Sequence, residues 1–67
     1  MSVAKVIEIS SSSSVSFDDA IKQGVSRASK TVKNIQGAWI QDQQVVVSNN
    51  QVTEYRVMMK VTFILEG

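Results

Sequence analysis

Apolar residues recur along the chain with two different periods, and these periods predict three strands and one helix. Residues 3–10, 37–47 and 53–65 are rich in β-branched residues, which is typical of strands. In residues 16–32, apolar and small residues instead repeat every three or four positions, as on one face of a helix. That face consists of Phe17, Ala20, Ile21, Gly24, Val25, Ala28 and Val32. The order strand, helix, strand, strand predicts an α+β fold, in which one helix crosses one face of a three-stranded antiparallel sheet.

The ends of the helix carry capping signals. Ser16 is a candidate N-cap, and Asp19 three residues later completes a capping-box pattern. Asp18 and Asp19 also suit the positive end of the helix dipole, and Lys30 and Lys33 suit its last turn.

Two polar stretches predict connections between these elements. Residues 48–51 (SNNQ) predict a tight turn because Asn tolerates positive φ, so the last two strands form a hairpin. The serine run at residues 10–16 predicts a surface loop that leads into the helix. A loop that cradles phosphate is the weaker alternative, since the run lacks glycine.

The last strand predicts one apolar face toward the helix and one mixed face that nothing else in the chain covers. The helix-facing set is Tyr55, Val57, Met59, Val61, Phe63 and Leu65. The mixed set is Arg56, Met58, Lys60, Thr62 and Ile64. Because this second face is too apolar for a plainly solvated surface, it suggests contacts with other subunits or the lining of a ligand site.

Trp39, the only tryptophan, is assigned to that second face. Alternation along the second strand puts Ala38 and Ile40 toward the helix. It puts on the second face Gly37, Trp39, Gln41, Gln43 and Val45. Two interpretations stay open: Trp39 packs against another subunit, or it stacks on a flat ligand.

The composition favours a self-associating protein. The 67 residues suffice for one domain, residues 1–67, and a domain of this size buries only about 60% of its unfolded surface. Cys and His are absent, which removes disulfides and the commonest zinc ligands. Self-association is the remaining route to stability.

The charge and hydropathy patterns give expectations about partners and location. The formal net charge is +1 and the basic residues are scattered, so no nucleic-acid partner is expected. No apolar run approaches the roughly 20 residues that span a bilayer, and the N-terminus lacks the plan of a secretory signal. We therefore expect no membrane association and a cytoplasmic location.

The sequence does not predict an enzyme. Serines are plentiful, but no His is present to activate one, and no nucleophile motif such as G-x-S-x-G occurs. No catalytic or metal residue is assigned. An oxygen-rich calcium site shared between subunits is a minor alternative. Its candidate ligands are Glu8, Asp42, Glu54 and Glu66.

The chain resembles the dodecin family in three segments that stand in the expected order. They are KVIEI (5–9), SFDDAIKQGVSRASKTVKNI (16–35) and EYRVMMKVTFIL (54–65). The run A-x-x-x-G-V-x-R-A-x-K-T-V-x-N-I at residues 20–35 is its most specific part. The resemblance implies a hollow homododecamer with sheets facing inward. It also implies a non-catalytic protein that stores flavin (FMN or riboflavin) and binds it in stacked pairs between tryptophans of neighbouring subunits.

Both signature flavin residues of the family differ in this chain. The family's tryptophan corresponds to Gly37, and Trp39 follows two residues later, about 7 Å along the strand. The family's glutamine corresponds to Arg56, and a basic residue often found in the middle of the second strand corresponds to Gln44. Gly37, Trp39, Gln44 and Arg56 are therefore the candidate flavin-binding residues. The alternative is a dodecin shell that no longer binds flavin and serves as a structural or calcium-binding assembly.

Overall fold

The computed structural model describes residues 3–65, which form a β-α-β-β unit. The strands are β1 (Val3–Ser13), β2 (Ile35–Ser48) and β3 (Gln51–Leu65), and the helix α1 spans Phe17–Ala28. All strand pairs are antiparallel, and the order β1-β3-β2 places the last strand in the middle of the sheet. The predicted fold class and element order are confirmed.

The hydrophobic core lies between α1 and the sheet. Its fully buried members are Ala20 of α1 and Val57, Met59 and Val61 of β3. Around them pack the half-buried residues Ile7, Ile9, Phe17, Ile21, Val25, Ile35 and Ile40. The alternation of β3 is thus as predicted for its centre, although Leu65 at its end is 45% exposed.

The boundaries of two elements differ from the prediction. β1 continues beyond the predicted end at Ser10 to Ser13, so that Ser11, Ser12 and Ser13 pair with β3 instead of forming a loop. α1 ends at Ala28, four residues earlier than predicted, and Lys30 and Lys33 lie beyond it. The helix ends there because the next amides bond in tighter turns, from Lys30 N–H to the Arg27 carbonyl (3.2 Å) and from Thr31 N–H to the Ala28 carbonyl (3.1 Å).

The hairpin turn between β2 and β3 is confirmed. Asn49 and Asn50 both adopt positive φ, at 52° and 63°. Two consecutive residues with positive φ are what a two-residue hairpin turn needs to match the twist of its strands. Asn34, just before β2, has φ 64° and reverses the chain direction from the helix into the sheet.

Candidate functional site on the open face of the sheet

One face of the sheet does not contact α1, and we call it the open face. Paired residues of antiparallel strands project to the same face, so the β3 residues on this side identify their partners on β1 and β2. The β3 set is Arg56, Met58, Lys60, Thr62 and Ile64. Nothing in the described residues 3–65 covers it, and Met58 at its centre is 39% exposed.

A β-bulge in β2 decides which of its residues reach the open face. The pairing shifts between Ile40 and Asp42, which leaves Gln41 as the extra residue. Asp42 then stands opposite Met58 on the open face, while Gln43 pairs with Val57 on the helix side.

The prediction that Gln43 and Val45 share a face with Trp39 is therefore wrong. It assumed uninterrupted alternation, whereas one extra residue exchanges the two faces for the rest of the strand. Val45 accordingly pairs with Tyr55 on the helix side, and Gln44 pairs with Arg56 on the open face.

Trp39 and Gly37 form the first group of candidate residues. Trp39 lies opposite Lys60, whose Nζ is 5.9 Å from the centroid of the indole ring, and 71% of Trp39 is exposed. This is the separation at which an ammonium group and an aromatic ring attract each other. Gly37 lies opposite Thr62, and a Cβ added to it would meet no atom within 4 Å. Free space therefore adjoins an exposed aromatic ring.

Gln44 and Arg56 form the second group, in a small cavity. Its volume is about 140 Å³, and it is lined by Ser10, Asp42, Gln44, Arg56 and Met58. These side chains offer a hydroxyl, a carboxylate, an amide and a guanidinium above an apolar floor. Arg56 lies about 13 Å from Trp39, because it is four residues from Lys60 along β3, whereas the cavity residues Met58 and Asp42 are about 7 Å from Trp39 along the strands.

Arg56 is paired within its own strand. Its Nε and Nη2 lie 2.9 and 2.8 Å from Oε2 of Glu54, and the two side chains are 47% and 34% exposed. The guanidinium thus has a carboxylate partner beside the cavity, which offsets the cost of placing it near an uncharged ligand.

The sequence predicts Gln44 and Arg56 as flavin-binding candidates and Met58 as part of the mixed face, but it does not place Ser10 or Asp42 with them. Ser10 stands where the predicted first strand meets the predicted loop, and Asp42 is predicted only as a calcium ligand. Only the bulge at Gln41 brings Asp42 and Gln44 to the same side as Trp39. A repeated polar pattern such as QDQQ (41–44) gives no signal of where such an extra residue sits.

The described part of the chain contains neither a cluster of metal ligands nor a helix that could span a membrane. No group of three or more His, Cys, Asp or Glu side chains is arranged to hold a metal ion. Glu66, one of the predicted calcium candidates, lies outside the described residues. The single described helix is too short and too polar to cross a membrane.

Comparison with known proteins identifies the family. The family model described as Dodecin matches residues 3–66. The chain belongs to the dodecin family. This confirms the resemblance predicted from the three sequence segments.

Solved dodecin structures have the same fold. The dodecin from Streptomyces davaonensis is 29% identical, with a TM-score of 0.94 over 98% of this chain and 97% of that one. A mutant of the Thermus thermophilus dodecin is 27% identical, with a TM-score of 0.95 over the whole of both chains. A calcium dodecin from Mycobacterium tuberculosis, described as having a novel calcium-binding site, is 31% identical, with a TM-score of 0.84 over 96% and 91%. A search of curated proteins finds no match.

Proposed function

We propose that this dodecin is a non-catalytic homododecamer that binds flavin on the open face of its sheet and stores it. The observation that carries the proposal is the exposed indole of Trp39 beside the empty space at Gly37, on a face that one chain leaves uncovered. Indole rings stack well on flat π-systems, and an isoalloxazine ring is such a system. Dodecins are known as small binding and storage proteins, which supports a role without catalysis.

The cavity around Arg56 suits the polar edge of the same ring. Flavin presents carbonyl oxygens and a ring N–H along one edge. The hydroxyl of Ser10, the amide of Gln44 and the guanidinium of Arg56 supply donors and acceptors to match them. Arg56 replaces the family's glutamine here, and its pairing with Glu54 makes this replacement compatible with an uncharged ligand.

The distance between the two groups favours a ligand held between subunits. Gln44 and Arg56 lie about 13 Å from Trp39 along the strands of one chain. Two copies of the open face that meet each other bring the Trp39 of one chain toward the cavity of the other. This arrangement also covers the apolar part of the face, as the small size of the domain requires.

The first test is a fluorescence titration of riboflavin and FMN with purified protein stripped of ligand. We expect quenching that saturates near one flavin per chain. Trp39→Ala should weaken binding about tenfold, as for bases stacked on aromatic side chains, whereas Trp39→Phe should retain most of the affinity. Light scattering on both variants checks that the assembly persists. Flavin that stays unquenched, or equal affinity of Trp39→Ala and the parent, would contradict the proposal.

Calcium binding is the second candidate function. It is favoured by the likeness to the Mycobacterium tuberculosis calcium dodecin and by the oxygen atoms of Ser10, Asp42 and Gln44 around one cavity. Calcium takes six to eight oxygen ligands, so a site here needs oxygens from a neighbouring copy as well. We expect Ca²⁺, but not an equal concentration of Mg²⁺, to raise Tm in the parent and not in Asp42→Asn. An unchanged Tm in the parent argues against this function.

A further inference from the structure

The open face carries an excess of negative charge, although the chain as a whole is slightly positive. Glu8 pairs with Lys60, Asp42 pairs with Met58, and Glu54 pairs with Val46, which puts three carboxylates on this face. Lys60 and Arg56 are its two cations among the described residues, so the face has a net charge of −1. The chain has a formal net charge of +1.

Four of the other five basic residues lie away from the open face, and the fifth, Lys33, lies before β2 at a depression at the end of the sheet that Ile64 also lines. Lys5 pairs with Phe63 on the helix side of the sheet. Lys22, Arg27 and Lys30 surround a shallow depression on the exposed side of the helix and the turn after it. Lys22, Arg27 and Lys30 are therefore separated from the open face by the thickness of the helix and the sheet, and Lys5 by the sheet alone.

Both cations of the open face already interact with neighbouring groups. Arg56 contacts Glu54 through two nitrogens, at 2.8 and 2.9 Å. Lys60 lies over the ring of Trp39 and directly opposite Glu8. Gln44, in the middle of β2, contributes an amide and no charge to the cavity, where its neighbour on the same face of β2 is the carboxylate of Asp42.

We infer that the open face selects an uncharged flavin, riboflavin, and discriminates against its phosphorylated form, FMN. This inference rests on the proposed flavin site and names the ligand of that site. A phosphate monoester carries a charge of about −1.5 to −2 at neutral pH. On this face it would meet three carboxylates and no cation without a partner, and two facing copies double that negative charge.

The size of the preference for riboflavin over FMN depends on how far the charged side chains of the open face are exposed to solvent. Two unit charges about 4 Å apart in water have an interaction energy that corresponds to a roughly fivefold change in affinity. Pairs of charges near a protein surface interact more strongly. We therefore expect FMN to bind roughly tenfold more weakly than riboflavin at low ionic strength. Salt screens exposed charges, so the difference between the two affinities should shrink as salt is added.

The test compares the ratio of the Kd for FMN to the Kd for riboflavin in the parent and three variants. Asp42→Asn removes a carboxylate from the cavity, and Glu54→Gln also frees Arg56 to bind phosphate. Both should reduce the ratio toward one. Asp18→Asn is the matched control, because it removes the same charge from the exposed first turn of α1 and should leave the ratio unchanged.

The results of this comparison distinguish charge selection by the open face, exclusion of the phosphate by shape, and the absence of a flavin site. A ratio above one that falls in Asp42→Asn and Glu54→Gln, but not in Asp18→Asn, supports charge selection by the open face. A ratio of one or below in the parent overturns it and leaves the proposed flavin site standing. A high ratio that stays the same in Asp42→Asn, in Glu54→Gln and in added salt also overturns charge selection. In that case the shape of the site excludes the phosphate. Failure of both flavins to bind overturns the proposed function itself.

Discussion

At the scale of single residues, Ser13 explains what the serine run contributes to the fold. Its hydroxyl is buried, donates to Oδ2 of Asp19 at 2.6 Å and accepts the N–H of Val15 at 2.9 Å. Ser16 accepts the N–H of Asp19 at 3.0 Å, as predicted for an N-cap. The carboxylate of Asp19, however, binds Ser13 and Gln23 instead of completing the predicted capping box. The end of β1 and the start of α1 are thus joined by side chains.

Gly24 is the residue that allows α1 to lie close to the sheet. A Cβ added to it would be 2.7 Å from Cε of Met59 and 3.0 Å from Cβ of Ser11. The methyl group of Met59 ends a flexible side chain, but Met59 is fully buried and has little space to move into. The Cβ of Ser11 is fixed to the backbone of β1. The predicted apolar face of the helix therefore contacts the sheet closely at Gly24.

We expect Gly24→Ala to lower the free energy of unfolding by about 1 kcal/mol. Overpacking of a core costs about 1–3 kcal/mol, of which the better helix propensity of Ala returns about 1 kcal/mol. Gly37→Ala is the matched control, since its Cβ would meet nothing within 4 Å in the chain. Urea unfolding at equal protein concentration compares the two.

The outcome separates packing inside the chain from packing between chains. If Gly24→Ala is as stable as the parent, the contact between α1 and the sheet is looser than these distances indicate. If Gly37→Ala is the destabilised variant instead, a neighbouring copy packs against Gly37 in the assembly.

At the scale of elements, the sequence predicted which segments form the fold, and it was less successful with their ends. Hydrophobic periodicity is a property of many residues together, so α1 and the three strands were recognised correctly. An end depends on a few local bonds. β1 extends through four serines because β3 offers a partner strand there, which overrides the preference of serine for turns.

Among the local features of the strands and the helix, the β-bulge in β2 has the largest effect on the candidate site. Alternation placed Trp39 correctly and failed at Gln43 and Val45, because the extra residue Gln41 lies between them and Trp39. The cavity that unites Ser10, Asp42 and Arg56 depends on three strands at once. Such a constellation is a tertiary property, and the resemblance to dodecins suggested only Gln44 and Arg56 of its members.

At the scale of the whole molecule, one chain is a thin, elongated layer. It measures 51 × 19 × 13 Å, and its fully buried hydrophobic residues among those described are Ala20, Val57, Met59 and Val61. The open face adds partly exposed apolar surface at Met58 and Val6, together with Trp39. A core this small is marginal for a domain of 67 residues, so the open face is the surface that self-association should bury.

We therefore expect Met58→Glu to break up the assembly and Ser26→Glu to leave it intact. Met58 lies at the centre of the open face, where a buried carboxylate without a partner is strongly unfavourable. Ser26 is exposed beside Arg27 and Lys30 on the outer side of α1, so the same charge there remains solvated.

Light scattering should find the parent and Ser26→Glu as particles of twelve chains and Met58→Glu as a smaller species with a lower Tm. If association stabilises the folded chain, mass action should also make the Tm of the parent rise with protein concentration. A Met58→Glu variant of unchanged size and Tm would mean that the chains associate through another surface, and the flavin site between facing copies would then lose its structural basis.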